Sequence, residues 1–318
     1  MSKDGGANDV LGDPSYLSLY RSGELARRVE RAWAMLESCC LCPHECGVNR
    51  LAGKVGVCRS SAELKIASWT LHPWEEPPIS GLRGSGTIFF SGCTGRCRFC
   101  QNFPISQLGA GNVFSVERLA EMMLELQSRG AHNINLVTAT HFVPHVLAAL
   151  LCAVKGGLRL PLVYNTSGYE SVETLRLLER VVDIYLPDAK YADDAVARRL
   201  SGFPRYVEVN RAALQEMYRQ VGEDLVLDGD GIAWRGLIVR HMVLPAGLAG
   251  STGVLSWIAG ELSLRIHVSL MDQYFPAYRA VGDPILGRKV TFEEYLTALE
   301  AFDAVELERG WRQFHEDE

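Results

Sequence analysis

From Gly86 onward the chain alternates short apolar runs with longer stretches in which apolar residues recur every three to four positions. Runs of four to eight apolar residues suit buried strands, and the periodic stretches suit helices laid on a sheet. The pattern predicts strands over Thr87 to Ser91, Asn133 to Thr138, Leu160 to Asn165, Asp183 to Leu186, Tyr206 to Asn210, Leu237 to Leu244 and Arg265 to Leu270. Between them, Ser115 is placed to cap a helix opening at Val116, and Pro144 suits the first turn of the next. Thr166 or Ser167 is expected to cap a third helix containing Val172 to Leu178. Strands and helices in repetition mean βαβ units around a parallel sheet, as an open doubly wound sheet or as a barrel. In either form the carboxyl ends of the strands face the active site, so chemistry is sought there.

Ahead of this array, Ser22 to Leu36 has helical composition, with Leu25, Val29, Ala32 and Trp33 on one face, and residues 1–14 are polar and expected to be disordered. The chain therefore divides into an N-terminal accessory region (1–80), a central βα unit (81–280) and a short helical tail (281–318).

Composition narrows the class of protein. With 318 residues and 47% hydrophobic content the chain can bury a large core. No apolar run approaches the ~20 residues that cross a bilayer, and the N-terminus lacks the apolar core of a signal peptide, so a cytoplasmic protein without a membrane partner is expected. A net charge of -6 offers no basic footprint for nucleic acid. Eight of the nine cysteines cluster at short spacing in two places, which in a cytosolic chain reads as metal binding rather than disulfide formation.

The second of these clusters, Ser91-Gly92-Cys93-Thr94-Gly95-Arg96-Cys97-Arg98-Phe99-Cys100, carries the most chemistry. A cubane iron–sulfur cluster takes four ligands. A loop offering only Cys93, Cys97 and Cys100 leaves one iron open to a cofactor. Structural zinc, by contrast, wants a closed fourth position, and no Cys or His follows closely after Cys100.

The spacing CxxxCxxC is the cluster signature of radical S-adenosylmethionine (SAM) enzymes. The stretch Glu75 to Ser106, with Arg240-His241 and Met271-Asp272-Gln273-Tyr274-Phe275-Pro276, resembles the radical SAM proteins that are like pyruvate formate-lyase activating enzyme. The likeness runs from about Cys39 to Tyr278. It implies a partial (β/α)6 TIM-type barrel with a cysteine-rich N-terminal extension, a [4Fe-4S] cluster on Cys93, Cys97 and Cys100, and S-adenosyl-L-methionine as the second cofactor. The implied reaction is reductive cleavage of SAM to methionine and a 5'-deoxyadenosyl radical, which abstracts hydrogen from a substrate. That substrate is a partner protein to be activated, another peptide or a small molecule. The chemistry calls for a flavodoxin- or ferredoxin-type electron donor.

Residues at strand ends supply the remaining candidates. Where many relatives carry Gly-Gly-Glu to hold the SAM amino group, this chain has Thr138-Ala139-Thr140, whose hydroxyls and carbonyls can accept from an ammonium; His141 follows, placed to orient a substrate or exchange a proton. Asn165 is a candidate ribose contact. Asp188 and Lys190, two residues apart on extended chain, point the same way and are catalytic candidates. Arg240 interrupts an apolar strand and needs an anionic partner, either the methionyl carboxylate of SAM or a barrel carboxylate such as Glu208 or Asp188. His241 points to the opposite face and is the second choice there, as a catalytic residue. His267 and Met271 to Tyr274 are expected to close the barrel mouth, while His72, Glu75 and Glu76 are a weaker group just before the first strand.

The first cysteine cluster offers Cys39, Cys42, Cys46 and Cys58, with His44 able to replace one of them and Cys40 to spare. A compact site with four cysteines favours structural zinc, and four thiolates equally serve a second iron–sulfur cluster. Cys152 lies in an apolar run and is expected in the core. The rival to a radical enzyme is a non-catalytic iron–sulfur or zinc protein for electron transfer or redox sensing, which accounts for the cysteines but not for the polar strand ends.

Overall fold

The computed structural model describes residues 12–313. Its strands are β1 (Lys65–His72), β2 (Ser85–Phe90), β3 (Asn112–Val113), β4 (Ile134–Val137), β5 (Leu162–Thr166), β6 (Ile184–Pro187), β7 (Val226–Leu227), β8 (Ala233–Met242), β9 (His267–Met271) and β10 (Gly310–Arg312). The helices are α1 (Tyr16–Arg21), α2 (Glu24–Ala34), α3 (Pro77–Ser80), α4 (Phe103–Ser106), α5 (Val116–Ser128), α6 (Val143–Lys155), α7 (Val172–Leu178), α8 (Asp194–Ser201), α9 (Tyr206–Val221), α10 (Ser251–Glu261) and α11 (Phe292–Ala304). The disorder expected for residues 1–14 falls largely on residues 1–11, outside the described part.

The strands form one sheet in the order β10-β9-β8-β6-β5-β4-β2-β1-β3, with β7 paired to β8. From β2 to β9 every pair along this path is parallel, giving the six-stranded arc of a partial barrel that does not close on itself. The predicted α/β class and partial (β/α)6 barrel are observed. The arc is extended by the antiparallel strands β1 and β3 at one edge and by the parallel β10 at the other. None of these edge strands, nor β7, is expected from the sequence pattern.

Two apolar layers hold the arc. Outside, buried residues of α5 and α6 such as Leu119, Met123, Val146 and Leu150 cover the sheet. Inside, Val163, Ile184, Leu186 and Ile238 meet Ile79 of α3, which fills the amino-terminal end of the barrel. Alternation along the strands also turns Asn135, Asn165, Asp188, Arg240 and Ser269 to the interior, with Asn135 level with Val163 and with Asp188, Arg240 and Ser269 side by side furthest towards the carboxyl ends.

Ser115 caps α5 by accepting from the Arg118 N–H, and Pro144 stands in the first turn of α6, as predicted. The residue at the N-cap of α7 is Ser171, not Thr166 or Ser167. The α2 helix fills the predicted Ser22 to Leu36 stretch, and its Trp33 ring lies 4.7 Å from that of His145 on α6.

The predicted strand Tyr206 to Asn210 is instead the first turn of α9. Tyr206, Asn210, Ala213, Leu214 and Met217 are buried at three- to four-residue intervals, so the helical period governs once the following residues are counted. Glu208 is consequently exposed, in a 3.6 Å ion pair with Arg205, and is not a barrel carboxylate. Cys152 is half-buried at the edge of the core rather than inside it. Among the described residues no helix is long and apolar enough to cross a membrane.

Candidate active site

The chain leaves β2 at Phe90 and enters the three-cysteine loop through Ser91 and Gly92. Gly92 has a φ of +85°, and a Cβ there would meet Ser60 Oγ at 2.8 Å and the Cys58 carbonyl at 2.9 Å, so only glycine fits. The loop is tied to the end of α8 by bonds from the Arg96 N–H to the Ser201 carbonyl (2.7 Å) and from the Arg98 N–H to the Leu200 carbonyl (2.8 Å). Each sulfur has a polar neighbour. The Gly95 N–H donates to Cys93 Sγ (3.2 Å), the Ser201 hydroxyl to Cys97 Sγ (3.0 Å), and Ser106 Oγ lies 3.0 Å from Cys100 Sγ.

This donor set fits a cubane. The three thiols are free and partly exposed on one loop, with hydrogen-bond donors of the kind that tune cluster sulfurs. Burial pushes the Cys93 thiol up to about 12 and raises Cys97, so an incoming metal must displace the proton of each. Among the described residues no three His, Cys, Asp or Glu side chains are placed to hold one metal ion. A cubane bound by three cysteines does not require such convergence, because each thiolate sits on a different iron.

Facing the loop, the ends of β6, β8 and β9 enclose a cavity of about 230 Å3, lined by Cys97, Cys100, Asp188, Lys190, Arg240 and Met271 among others. The predicted pair Asp188 and Lys190 points the same way, with Lys190 Nζ donating to Asp188 Oδ2 at 2.5 Å. Arg240 Nε donates to Asp188 Oδ1 (3.1 Å), and its Nη2 donates to Asn165 Oδ1 (2.7 Å). Burial alone would raise the Asp188 carboxyl, but the Lys190 and Arg240 cations outweigh it and hold Asp188 below the usual carboxylate range. Lys190 and Arg240 are likewise held charged: burial opposes this, and Asp188 overcomes it.

Glu75 joins this array from the segment after β1. It accepts from Asn135 Nδ2 (3.1 Å), from Asn165 Nδ2 (3.5 Å) and from Arg240 Nη1 (3.5 Å), so of His72, Glu75 and Glu76 it is Glu75 that bonds directly to this array.

The end of β4 has a different construction. Thr138 has a φ of +59°, a left-handed conformation unusual for a β-branched residue, and its N–H donates to the Asn165 carbonyl (2.9 Å). The Thr140 hydroxyl donates to Glu170 Oε1 (2.7 Å), which also accepts from Thr166, while the Tyr164 hydroxyl donates to Glu170 Oε2 (3.1 Å). Burial pushes the Glu170 carboxyl up to about 7. Sequence reasoning passed over Glu170; its signal was a carboxylate directly after the polar turn that ends β5. His141 is buried with Nε2 2.8 Å from the Ser91 carbonyl, so it braces the loop, and burial lowers it to about 3.

Two expectations, those for His241 and His267, are corrected by geometry. His241 is fully buried and turned away from the mouth, with Nδ1 2.6 Å from the Ala189 carbonyl and Nε2 2.9 Å from Ser251 Oγ of α10. His267 begins β9 and so lies at the opposite end of the barrel, stacked on Trp311 at 5.6 Å. Tyr274 is buried, donates to the Leu286 carbonyl (2.7 Å) and packs edge-on against Phe99, which is a packing role.

The N-terminal cysteine segment sits directly against the loop. Cys39, Cys42 and Cys58 are buried and Cys46 is half-buried. His44 Nε2 lies 2.8 Å from the Thr94 carbonyl, and Arg96 donates to the Val57 carbonyl. Arg50 is fully buried, donating to the carbonyls of His141 (2.6 Å) and Ser61 (2.7 Å). Among the described residues no three of these cysteines are placed about a single metal ion.

Comparison with known proteins bears on the same segments. The family model described as Radical SAM superfamily matches residues 87–229. The uncharacterized protein MJ0674 of Methanocaldococcus jannaschii is 31% identical over 287 residues, covering 88% of this chain and 79% of that protein. Among solved structures, HydG, a maturase of the [FeFe]-hydrogenase, aligns with a TM-score of 0.45 at 12% identity, over 69% of this chain and 48% of its own. TYW1 with a lysine-pyruvate adduct bound aligns with a TM-score of 0.44 at 12% identity, over 74% of this chain and 83% of its own. The matched region begins within β2, takes in the three-cysteine loop and the ends of β4, β5 and β6, and stops ahead of β8; the chain belongs to the radical SAM superfamily.

Proposed function

We propose that this protein binds a [4Fe-4S] cluster on Cys93, Cys97 and Cys100, binds SAM at the barrel mouth, and uses the pair to abstract hydrogen from a substrate. The observation that carries this reading is the buried Asp188, Lys190 and Arg240 array facing Cys97 and Cys100 across one cavity. When bound, the cluster delivers one electron to SAM, which yields methionine and the 5'-deoxyadenosyl radical.

The side chains divide the remaining work. Arg240 is the anchor for the methionyl carboxylate, since its planar fork suits a carboxylate and Asp188 holds it in place. Lys190 lies against the same carboxylate of Asp188 and adds positive charge beside Cys97. Asn165 orients Arg240 and is available to a ribose hydroxyl. Thr138 presents a strained strand end to the cofactor, whereas Thr140 commits its hydroxyl to Glu170 and acts by holding that strand end. The apolar walls Met242, Leu244 and Met271 exclude water from the reacting centre.

The motifs shared with pyruvate formate-lyase activating enzyme support a finer step, hydrogen abstraction that activates a partner protein. A flavodoxin- or ferredoxin-type donor would approach the loop from the cytoplasm.

The test is anaerobic reconstitution with iron and sulfide, followed by reduction, addition of SAM, electron paramagnetic resonance and a 5'-deoxyadenosine assay. A reduced cubane signal perturbed by SAM, with deoxyadenosine formed and both lost in Cys97→Ala, is the expected result. A reconstituted cluster indifferent to SAM, with no cleavage after full reduction, returns the protein to the electron-transfer or sensing class.

A further inference from the structure

Beneath the Arg240 layer the barrel holds polar atoms that the cofactor reading leaves unused. Glu76, 8% exposed, has no hydrogen-bond partner at Oε2, and fully buried Asn135 has none at Oδ1. His72 Nδ1 is also without one, lying 3.7 Å from Glu75 Oε1. Native proteins leave few buried polar groups unsatisfied, because each forfeits the hydration it had in the unfolded chain. Asn135 Oδ1 is an acceptor, as is Glu76 Oε2 when ionised, so a group that completes both donates hydrogen bonds and favours the Glu76 carboxylate over the proton that burial otherwise holds on it.

Charge points the same way. Glu75, Glu76 and Asp188 bring three carboxyl groups to this interior against the two cations Arg240 and Lys190, and burial raises the Glu76 carboxyl, so its ionised form lacks a counter-charge of its own. Arg240 commits its shorter contacts to Asp188 and Asn165, leaving Glu75 at 3.5 Å. Glu76 lies against Ser269 of β9 and within the field of Arg240 and Glu75, so it faces the interior rather than the solvent. The Met242 and Met271 walls between this layer and the cysteine loop suit an alkyl chain.

We propose that Glu75, Glu76 and Asn135 form the substrate pocket of this enzyme and that it holds a cationic nitrogen group, an ammonium or a guanidinium, at the end of an alkyl chain. The N–H donors complete Glu76 Oε2 and Asn135 Oδ1, and Glu75 supplies the adjacent counter-charge. The carbon that loses hydrogen then lies along the chain, towards the mouth. This rests on the radical SAM reading of the same barrel.

The experiment uses full-length, cluster-loaded protein with SAM, first confirmed to form 5'-deoxyadenosine on reduction. The oxidised form is then titrated calorimetrically with n-butylammonium, n-butylguanidinium and neutral 1-butanol. Saturable binding of a cation but not of butanol is expected, with affinity falling at least tenfold in Glu76→Gln. Asn135→Asp, which adds a carboxylate at the same place, should tighten cation binding and serves if Glu76→Gln fails to fold. The tighter of the two cations identifies the substrate's nitrogen group. Butanol binding as well as the cations, no saturable cation binding, or affinity unchanged in a folded Glu76→Gln variant overturns the cation pocket alone. Absence of deoxyadenosine from the wild type overturns the functional reading beneath it.

Discussion

Arg240 and Asp188 stand on neighbouring strand ends whose backbones bridge, and their side chains meet with Arg240 Nε 3.1 Å from Asp188 Oδ1. Lys190 occupies the other carboxylate oxygen, so one anion holds two cations in the wall of the cavity. Removing a single member of such a buried set leaves charge uncompensated, at a cost of about 3–5 kcal/mol. Asp188→Asn is therefore expected to lower stability by about 3 kcal/mol in anaerobic urea denaturation and to weaken SAM binding by releasing Arg240. Because Asp188 titrates below the usual carboxylate range, its contribution is present above that range and is lost as pH falls through the folded value. Wild-type stability should thus drop more steeply than that of Asp188→Asn below about pH 4. Parallel acid limbs for the two proteins would contradict the assignment.

Ser201 tests the loop. Its hydroxyl donates to Cys97 Sγ at 3.0 Å, and hydrogen bonds to cluster sulfurs stabilise the more negative, reduced state. Ser201→Ala should shift the cluster potential downward in an anaerobic redox titration, with iron content unchanged because all three cysteines remain. Ser201→Thr should restore most of the difference. An unchanged potential in the alanine variant would mean that the hydroxyl serves only Tyr191, whose Oη lies 2.6 Å away.

Gly168 fixes the spacing between the ends of β5 and β6. Its φ is +69°, and a Cβ there would meet the Asp188 carbonyl at 2.1 Å and Asn210 Nδ2 at 2.3 Å. Asn210 donates to both the Gly168 and the Asp188 carbonyls, so the three residues are locked. Gly168→Ala combines backbone strain with a clash against main chain, and should cost more than about 1 kcal/mol of stability. It should also displace Asp188 and weaken SAM binding, whereas Gly157→Ala, where φ is +96° but no atom lies within 4 Å, should show the strain alone.

The legible parts of this molecule were those with local signals. Cys93, Cys97 and Cys100 announce themselves by spacing, the parallel strands by apolar runs, and Asp188, Lys190 and Arg240 by charges set at strand ends. Tyr206 to Asn210 misled because five residues with an apolar start fit a strand, while the burial period that makes them helical lies in the following two turns. The interior position of Glu75 could not be read, because it depends on α3 folding back into the amino-terminal end of the barrel, a long-range arrangement with no periodic signature. His241 differs from Arg240 only in strand parity. Alternation forbids both from facing inward, and the packing of α10 decides which one does.

Glu170 makes stability depend on pH near neutrality. It is fully buried, accepts from the Thr140, Thr166 and Tyr164 hydroxyls, and titrates at about 7 against an ordinary 4.5 because burial outweighs those bonds. The folded protein therefore holds the proton more tightly than the unfolded chain. Stability from this group is complete below about pH 4.5 and is lost as pH rises to about 7, a total of about 3 kcal/mol. Asp183, raised to about 6 by burial, contributes a loss of the same sign that is nearly complete before Glu170 finishes. Glu170→Gln keeps an acceptor for the hydroxyls and removes the titration. Urea denaturation between pH 6 and pH 8 should then show wild-type stability falling relative to the variant as pH rises, with the Asp183 loss and the opposite gain from His141, His145 and His241, which burial keeps neutral in the folded chain, common to both. A difference between the two proteins that stays constant over that interval would place the titrating group elsewhere.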